Sequence, residues 1–160
     1  MQTPHIGTAE ECEFARMREP FLTTGYRIGY DMRACLESVF AWHNETLSIW
    51  THLVGFFVCV LLAWRTLRDI KAAGGARVHT VMALFFFIPA IGSMASSTLF
   101  HVLRSTSEKV YATLAPLDFL FIALVLVGTQ VSHIYYSLAE CPKLCHRYFA
   151  VLFLACAAAV

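Results

Sequence analysis

Apolar and polar positions fall into long blocks along this chain. From 46 to 64 there is no Asp, Glu, Lys or Arg, a run of 19 residues, close to the ~20 needed to cross ~30 Å of hydrocarbon as a helix. Trp50 and Trp64 stand near its ends, where indole rings settle at headgroup level. A second charge-free run covers 78–103 and is interrupted by Pro89. In a membrane helix neighbouring groups re-satisfy the carbonyl that proline frees, so the pattern predicts one kinked span. Gly92, Ser93, Ala95, Ser96 and Ser97 follow and predict a face for close helix packing. A third span over 110–138 contains a single charge, Asp118. A fourth apolar run over 147–160 makes roughly 20 Å of helix, about two thirds of a crossing.

The pattern predicts an all-α fold, a multi-pass transmembrane helix bundle with three full spans and a partial fourth within a transmembrane domain over 46–160. Carbonyls left unsatisfied in hydrocarbon are costly, so the sequence is expected to be part of a longer protein. The alternative is three spans whose last segment lies in the interface. Between the spans, 65–77 is expected as a solvated loop turning at Gly74-Gly75, and 104–109 as a short polar loop. Ahead of them, 1–30 reads as a polar tail, and without a basic stretch leading into a short apolar core no cleaved signal peptide is expected. Over 31–45, Met32, Cys35, Leu36, Val39 and Phe40 recur at helical spacing. This predicts an amphipathic juxtamembrane helix, lying on the membrane or packed on the spans.

Composition sharpens this picture. Only 14% of the 160 residues are charged and 58% are apolar, with a mean hydropathy of +0.62, which excludes a soluble domain and a disordered chain and makes membrane lipids the expected surroundings. A net charge of +1 without a basic arm gives no ground for a nucleic-acid partner. The six cysteines are scattered, and Cys141-x3-Cys145 lacks the second ligand pair of a zinc ribbon, so neither a disulfide framework nor a structural zinc is expected from them.

Ionisable residues at membrane depth are costly and usually functional or paired, which makes Asp118 and His101 the candidates for chemistry. Ser97 joins them because it lies four residues before His101 on the same helical face. At 1.5 Å per residue Asp118 and Ser97 lie ~12 and ~10 Å from the 104–109 loop, and His101 ~5 Å. Ser97 and Asp118 are therefore expected to meet, with His101 nearer the surface. Two readings stay open: a metal or proton-handling site with His101 as ligand, or a hydrogen-bonded clamp without metal. One histidine does not hold a catalytic zinc, which takes about three protein ligands. His52 and His133 read as interhelical hydrogen-bonders, and His43, His79 and His146 as solvated residues near interfaces. Asn44-Glu45-Thr46 has the pattern of a glycosylation acceptor, but its closeness to the first span favours a structural role.

The stretches Gly25-Tyr26-Arg27, His43-Asn44-Glu45-Thr46 and Ile49-Trp50-Thr51-His52-Leu53 resemble the approach to the first span in the progestin and adipoQ receptor family. Ser97-Thr98-Leu99-Phe100-His101, Ser107-Glu108-Lys109-Val110 and Leu117-Asp118 resemble its adiponectin receptor branch and, more distantly, hemolysin III proteins and alkaline ceramidases. The resemblance implies a seven-span membrane protein with zinc near the cytosolic face, His101 as a metal ligand, and Ser97 and Asp118 as catalytic residues beside the metal and its water. Two further ligands would come from a His-x3-His motif on the seventh span, which has no counterpart in this sequence. The implied function is that of a receptor, or of a zinc-dependent amide hydrolase of ceramide-like lipids, with a sphingolipid or hormone as ligand and a homo-oligomer as an expected assembly. A truncated, inactive structural or regulatory protein is the alternative. The resemblance places the amino terminus in the cytosol, whereas Arg65, Arg68, Lys71, Arg77, Lys143 and Arg147 vote for the reverse topology. The plasma membrane and the endoplasmic reticulum fit equally well.

Overall fold

The computed structural model describes residues 3–12 and 14–158; Glu13 and the last two positions of the expected fourth segment, 159 and 160, lie outside them. Strand β1 (His5–Thr8) pairs antiparallel with β2 (Thr24–Ile28). Helix α1 (Met32–Glu37) and a 3-10 turn over Ser38–Phe40 lead into α2 (Thr46–Ala72), α3 (Arg77–Leu103), α4 (Glu108–Ser137) and α5 (Pro142–Ala158). Helices α2, α3 and α4 are each long and apolar enough to cross a membrane. The chain is thus a multi-pass, integral membrane protein, all-α in its spans. It divides into two compact units, Met1–Phe57 with Ser93–Leu120, and Val58–Gly92 with Phe121–Val160.

The helices overrun the apolar blocks. Arg65, Arg68, Asp69 and Lys71, expected in a loop, belong to α2. Straight-chain Arg and Lys are good helix formers, and Lys71 in the last turn complements the helix dipole. The helix stops at Gly74, whose φ of 62° is left-handed. Its N–H donates to the Lys71 carbonyl (3.2 Å) and the Gly75 N–H to that of Ile70 (2.9 Å), the paired bonds of a Schellman cap. Helix α5 begins five residues before the apolar run, with Pro142 in its first turn and the Cys141 carbonyl accepting from Leu144 and Cys145. Proline is preorganised there because its missing N–H is not needed.

The amino-terminal residues read as a polar tail hold a small core in the first unit, where Cys12, Met17, Tyr26 and Ile28 are buried together. Tyr26 locks the intervening loop, its hydroxyl accepting from the Glu19 N–H (2.8 Å) and donating to the Leu22 carbonyl (3.2 Å). Of the amphipathic stripe, Cys35 is fully buried whereas Met32, Leu36 and Phe40 are exposed.

In the second unit α3 and α4 run antiparallel in close contact. Pro89, which α3 passes through without a break, has no N–H for the Phe85 carbonyl four residues back. Gly128 of α4 lies against that same carbonyl, and a Cβ at 128 would collide with it. One turn further along, Ser132 Oγ donates to the Met82 carbonyl (2.9 Å), and His79 Nδ1 meets the Tyr136 hydroxyl (3.1 Å). His79 is therefore an interhelical bonder rather than a solvated residue, while His133, expected to bridge helices, is exposed. At the other end Gly92 makes room for the Phe121 ring.

Candidate functional site

The first unit holds every buried polar or charged side chain recorded among the described residues. They form two groups along the end of α3. The deeper group is the one anticipated from helix depth: Asp118 Oδ1 accepts from Ser97 Oγ and from Ser96 Oγ (3.3 Å). Ser96 also donates to the Ser93 carbonyl at 3.1 Å. Two hydroxyl donors on one carboxylate oxygen are what a buried Asp requires when no cation is at hand.

His101, one turn beyond Ser97, is not recorded in contact with Asp118. Its Nδ1 lies 2.6 Å from Glu45 Oε2, and its ring stacks on that of His52 with centroids 5.4 Å apart. His52 spends Nδ1 on the Ser48 carbonyl of its own helix (2.6 Å), so it meets its neighbour by stacking and not by the expected interhelical hydrogen bond. The other Glu45 oxygen, Oε1, accepts from Arg104 Nη1 at 2.8 Å. Arg104 Nη2 reaches Glu19 at 3.0 Å, and the guanidinium lies over the Phe100 and Tyr111 rings at 5.2 and 5.5 Å, two cation-π contacts. Glu45 and Arg104 are both 5% exposed. Burial alone pushes the Glu45 carboxyl up, but the His101 hydrogen bond and the charges of Arg104, His101 and Arg27 outweigh it and hold it below its usual value.

A second buried guanidinium, Arg27, closes the end of α3. Its Nη1 donates to the Val102 carbonyl (2.8 Å) and to Ser38 Oγ (3.0 Å), and Nη2 to the His101 carbonyl (2.7 Å). These are carbonyls a helix leaves without partners at its negative end, where a cation is favoured. The turn 43–46 then fixes Glu45. His43 Nδ1 accepts from the Glu45 N–H (3.1 Å), Nε2 donates to the Ser38 carbonyl (3.0 Å), and Thr46 Oγ1 donates to the Ala41 carbonyl (2.8 Å). Burial, helped by the Arg27 charge, lowers the His43 pKa, in keeping with a neutral ring that accepts at one nitrogen. His43, expected in solvent, is thus a buried hub, and the hydroxyl of the glycosylation-like triplet is spent inside the turn. Gly25 admits the turn against β2: its φ is 90°, its carbonyl accepts from the Asn44 N–H (2.9 Å), and a Cβ would sit 3.1 Å from that nitrogen.

Glu45, Arg104 and Arg27 were absent from the candidates drawn from sequence. For Glu45 and Arg104 a signal was present all the same: each flanks a span, where a buried charge needs a partner; Arg27, on β2, stands well ahead of the first span. A carboxylate 56 residues before its histidine gives no spacing to read.

A family model described as haemolysin-III related matches residues 40–160. The chain belongs to the haemolysin-III-related family. Membrane progestin receptor beta of Homo sapiens is 32% identical over 121 residues, covering 75% of this chain and 34% of the relative. Progestin and adipoQ receptor family member 3 of Mus musculus is 28% identical over 151 residues, covering 92% and 46%. Heptahelical transmembrane protein 3 of Arabidopsis thaliana is 26% identical over 174 aligned positions, covering 84% and 48%. The chain therefore spans about a third to a half of the length of these haemolysin-III-related proteins.

The zinc expected from the family resemblance finds an incomplete donor set. Among the described residues no group of three or more His, Cys, Asp or Glu is placed to hold a metal. Both Glu45 oxygens are engaged, Asp118 is hydrogen-bonded to serines, and His101 has only Nε2 left to offer. Zinc takes three or four ligands, so these residues alone do not fit it.

Proposed function

We propose that this haemolysin-III-related chain acts as a receptor-like membrane protein for a bilayer-derived ligand, a steroid or a sphingolipid, whose arrival is read at the Glu45, His101 and Arg104 centre. One observation supports this reading above the others. The centre ties the head of α2 to the end of α3 and to Glu19 of the amino-terminal segment by a hydrogen bond of 2.6 Å between Glu45 and His101 and ion pairs of 2.8 and 3.0 Å, so moving α2 against α3 must break a buried pair. Such a joint has discrete states rather than a continuum, as a switch requires. The steroid class is suggested by relatives named membrane progestin receptors. The test is saturation binding of radiolabelled progesterone and of a labelled ceramide to the chain in nanodiscs. Saturable binding of either that weakens in Glu45→Gln supports the proposal; no saturable binding of either contradicts it.

A second reading, zinc-dependent hydrolysis of a ceramide-like amide, is favoured by the Glu45 and His101 pair. A carboxylate on Nδ1 orients an imidazole with Nε2 as the remaining donor, a common arrangement at metal-binding histidines. In this reading His101 would be one metal ligand, with Asp118 and Ser97 as the catalytic residues, and the further ligands would have to come from outside the described residues. Bound zinc near one per chain, lost in His101→Ala, together with ceramide turnover sensitive to Asp118→Asn, supports this reading. Purified protein without zinc contradicts it for this chain.

A further inference from the structure

The first unit contains a cavity of about 650 Å³ between the amino-terminal ribbon and the ends of α2 and α3, within the ~300–1,000 Å³ usual for small-molecule sites. Arg27, Arg104, Glu45 and Asp31 line it together with apolar Met17 and Tyr26. Its charged groups are not equally satisfied. Glu45 and Arg104 pair with each other, and Asp31 caps α1 by accepting from the Ala34 N–H at 2.7 Å. Arg27 is 4% exposed, has no carboxylate ion-paired to it among the described residues, and its Nε is a buried donor without an acceptor. The end of α3 and Ser38 occupy three of its N–H groups, so the unmet demand is at Nε, a donor that an anionic oxygen would satisfy. The segment that follows Asp31 exposes Met32, Leu36, Phe40 and Trp42, apolar side chains of the kind a membrane interface receives.

We propose that this cavity binds the phosphate or carboxylate group of a single-chain anionic amphiphile drawn from the bilayer, with Arg27 as its counter-ion and the Tyr26 and Met17 wall around its apolar stem. The site is separate from the Ser97 and Asp118 pair and shares Glu45 and Arg104 with the centre described above, but its anion binding does not rest on that centre acting as a receptor switch. Guanidinium recognises both anions by parallel N–H donors, and the apolar wall discriminates an amphiphile from the free ion.

The test is titration of the purified chain in phosphatidylcholine nanodiscs with lysophosphatidate, lysophosphatidylcholine and inorganic phosphate, read by native mass spectrometry. Lysophosphatidate is expected to bind one per chain and lysophosphatidylcholine at least about tenfold more weakly, the scale of one charge-assisted contact. Competition by inorganic phosphate would assign the site to the phosphate group alone and overturn the lipid source. Equal binding of the two lysolipids, which share a phosphate and differ in net charge, would overturn the selection of a net anionic amphiphile. Arg27→Gln is expected to abolish the preference for lysophosphatidate. Because Arg27 also holds the end of α3, Ser105→Phe, which fills the cavity from its rim, serves as the second variant: loss of binding with an unchanged melting temperature is expected, and retained binding contradicts the proposal.

Discussion

The two units join the same helices, α3 and α4, by opposite means. In the second unit the backbones approach at Gly128 while Gly92 seats the Phe121 ring, and the polar contacts are single hydrogen bonds, Ser132 to Met82 and His79 to Tyr136. In the first unit the corresponding ends are held by buried Ser96, Ser97 and Asp118, then by the charged centre of Glu45, His101 and Arg104. Lipid is as apolar as leucine, so membrane helices associate by close packing and polar bonds rather than by hydrophobic burial. The comparison teaches where each is used: packing suffices where two helices meet, while charge appears where the amino-terminal ribbon, α2 and α3 must be registered together. Packing of that kind tolerates little change in volume, and a charged centre tolerates little change in its set of partners.

The largest expected effect tests the charged half. Glu45→Gln leaves Arg104 buried without its carboxylate and takes the partner from His101, which is expected to destabilise the first unit by about 3–5 kcal/mol, read as a lowered melting temperature in detergent. Next comes the packed half. Gly128→Ala drives a Cβ into the Phe85 carbonyl, a backbone atom that cannot rotate away, and is expected to cost about 1–3 kcal/mol. Gly92→Ala meets only the Phe121 ring, which can turn, so a smaller loss is expected; equal losses would break the distinction.

Acidification should separate the units. The His43 pKa is lowered from 6.5 and that of Glu45 from 4.5, so in both cases the unfolded chain binds the proton more readily. Both contributions are full above the unfolded values and are lost as pH falls through the folded ones. Melting temperature is expected to decline as pH drops below 6.5 and more steeply below 4.5, the values His43 and Glu45 depart from. His43→Gln should flatten the first limb and Glu45→Gln the second. The smallest effect belongs to Ser132→Ala, which removes one neutral interhelical bond worth about 0.6 kcal/mol.

The spans and the Ser97 and Asp118 pairing were legible in the sequence because both follow from the rise of a helix and the scarcity of charge. Helix ends were not: hydropathy marks where lipid ends, whereas α2 continues through Arg65, Arg68 and Lys71 to a cap set by Gly74. The ribbon was hidden because its strands are four and five residues long, too short for alternation to register. Glu45 was hidden by its context, since a carboxylate inside an Asn-Glu-Thr triplet at the edge of a span looks like part of a turn. Its role arises from where the end of α3 is brought, which no local pattern encodes.

Glu45 and Arg104 form one buried ionic unit, and a double-mutant cycle on melting stability measures their coupling. Glu45→Gln and Arg104→Gln should each be strongly destabilising, and the combined variant, with no uncompensated charge from the pair, should be more stable than the sum of the single losses by about 2 kcal/mol or more. Additive losses, agreeing to within about 0.5 kcal/mol, would mean that the two side chains act independently and form no ionic unit.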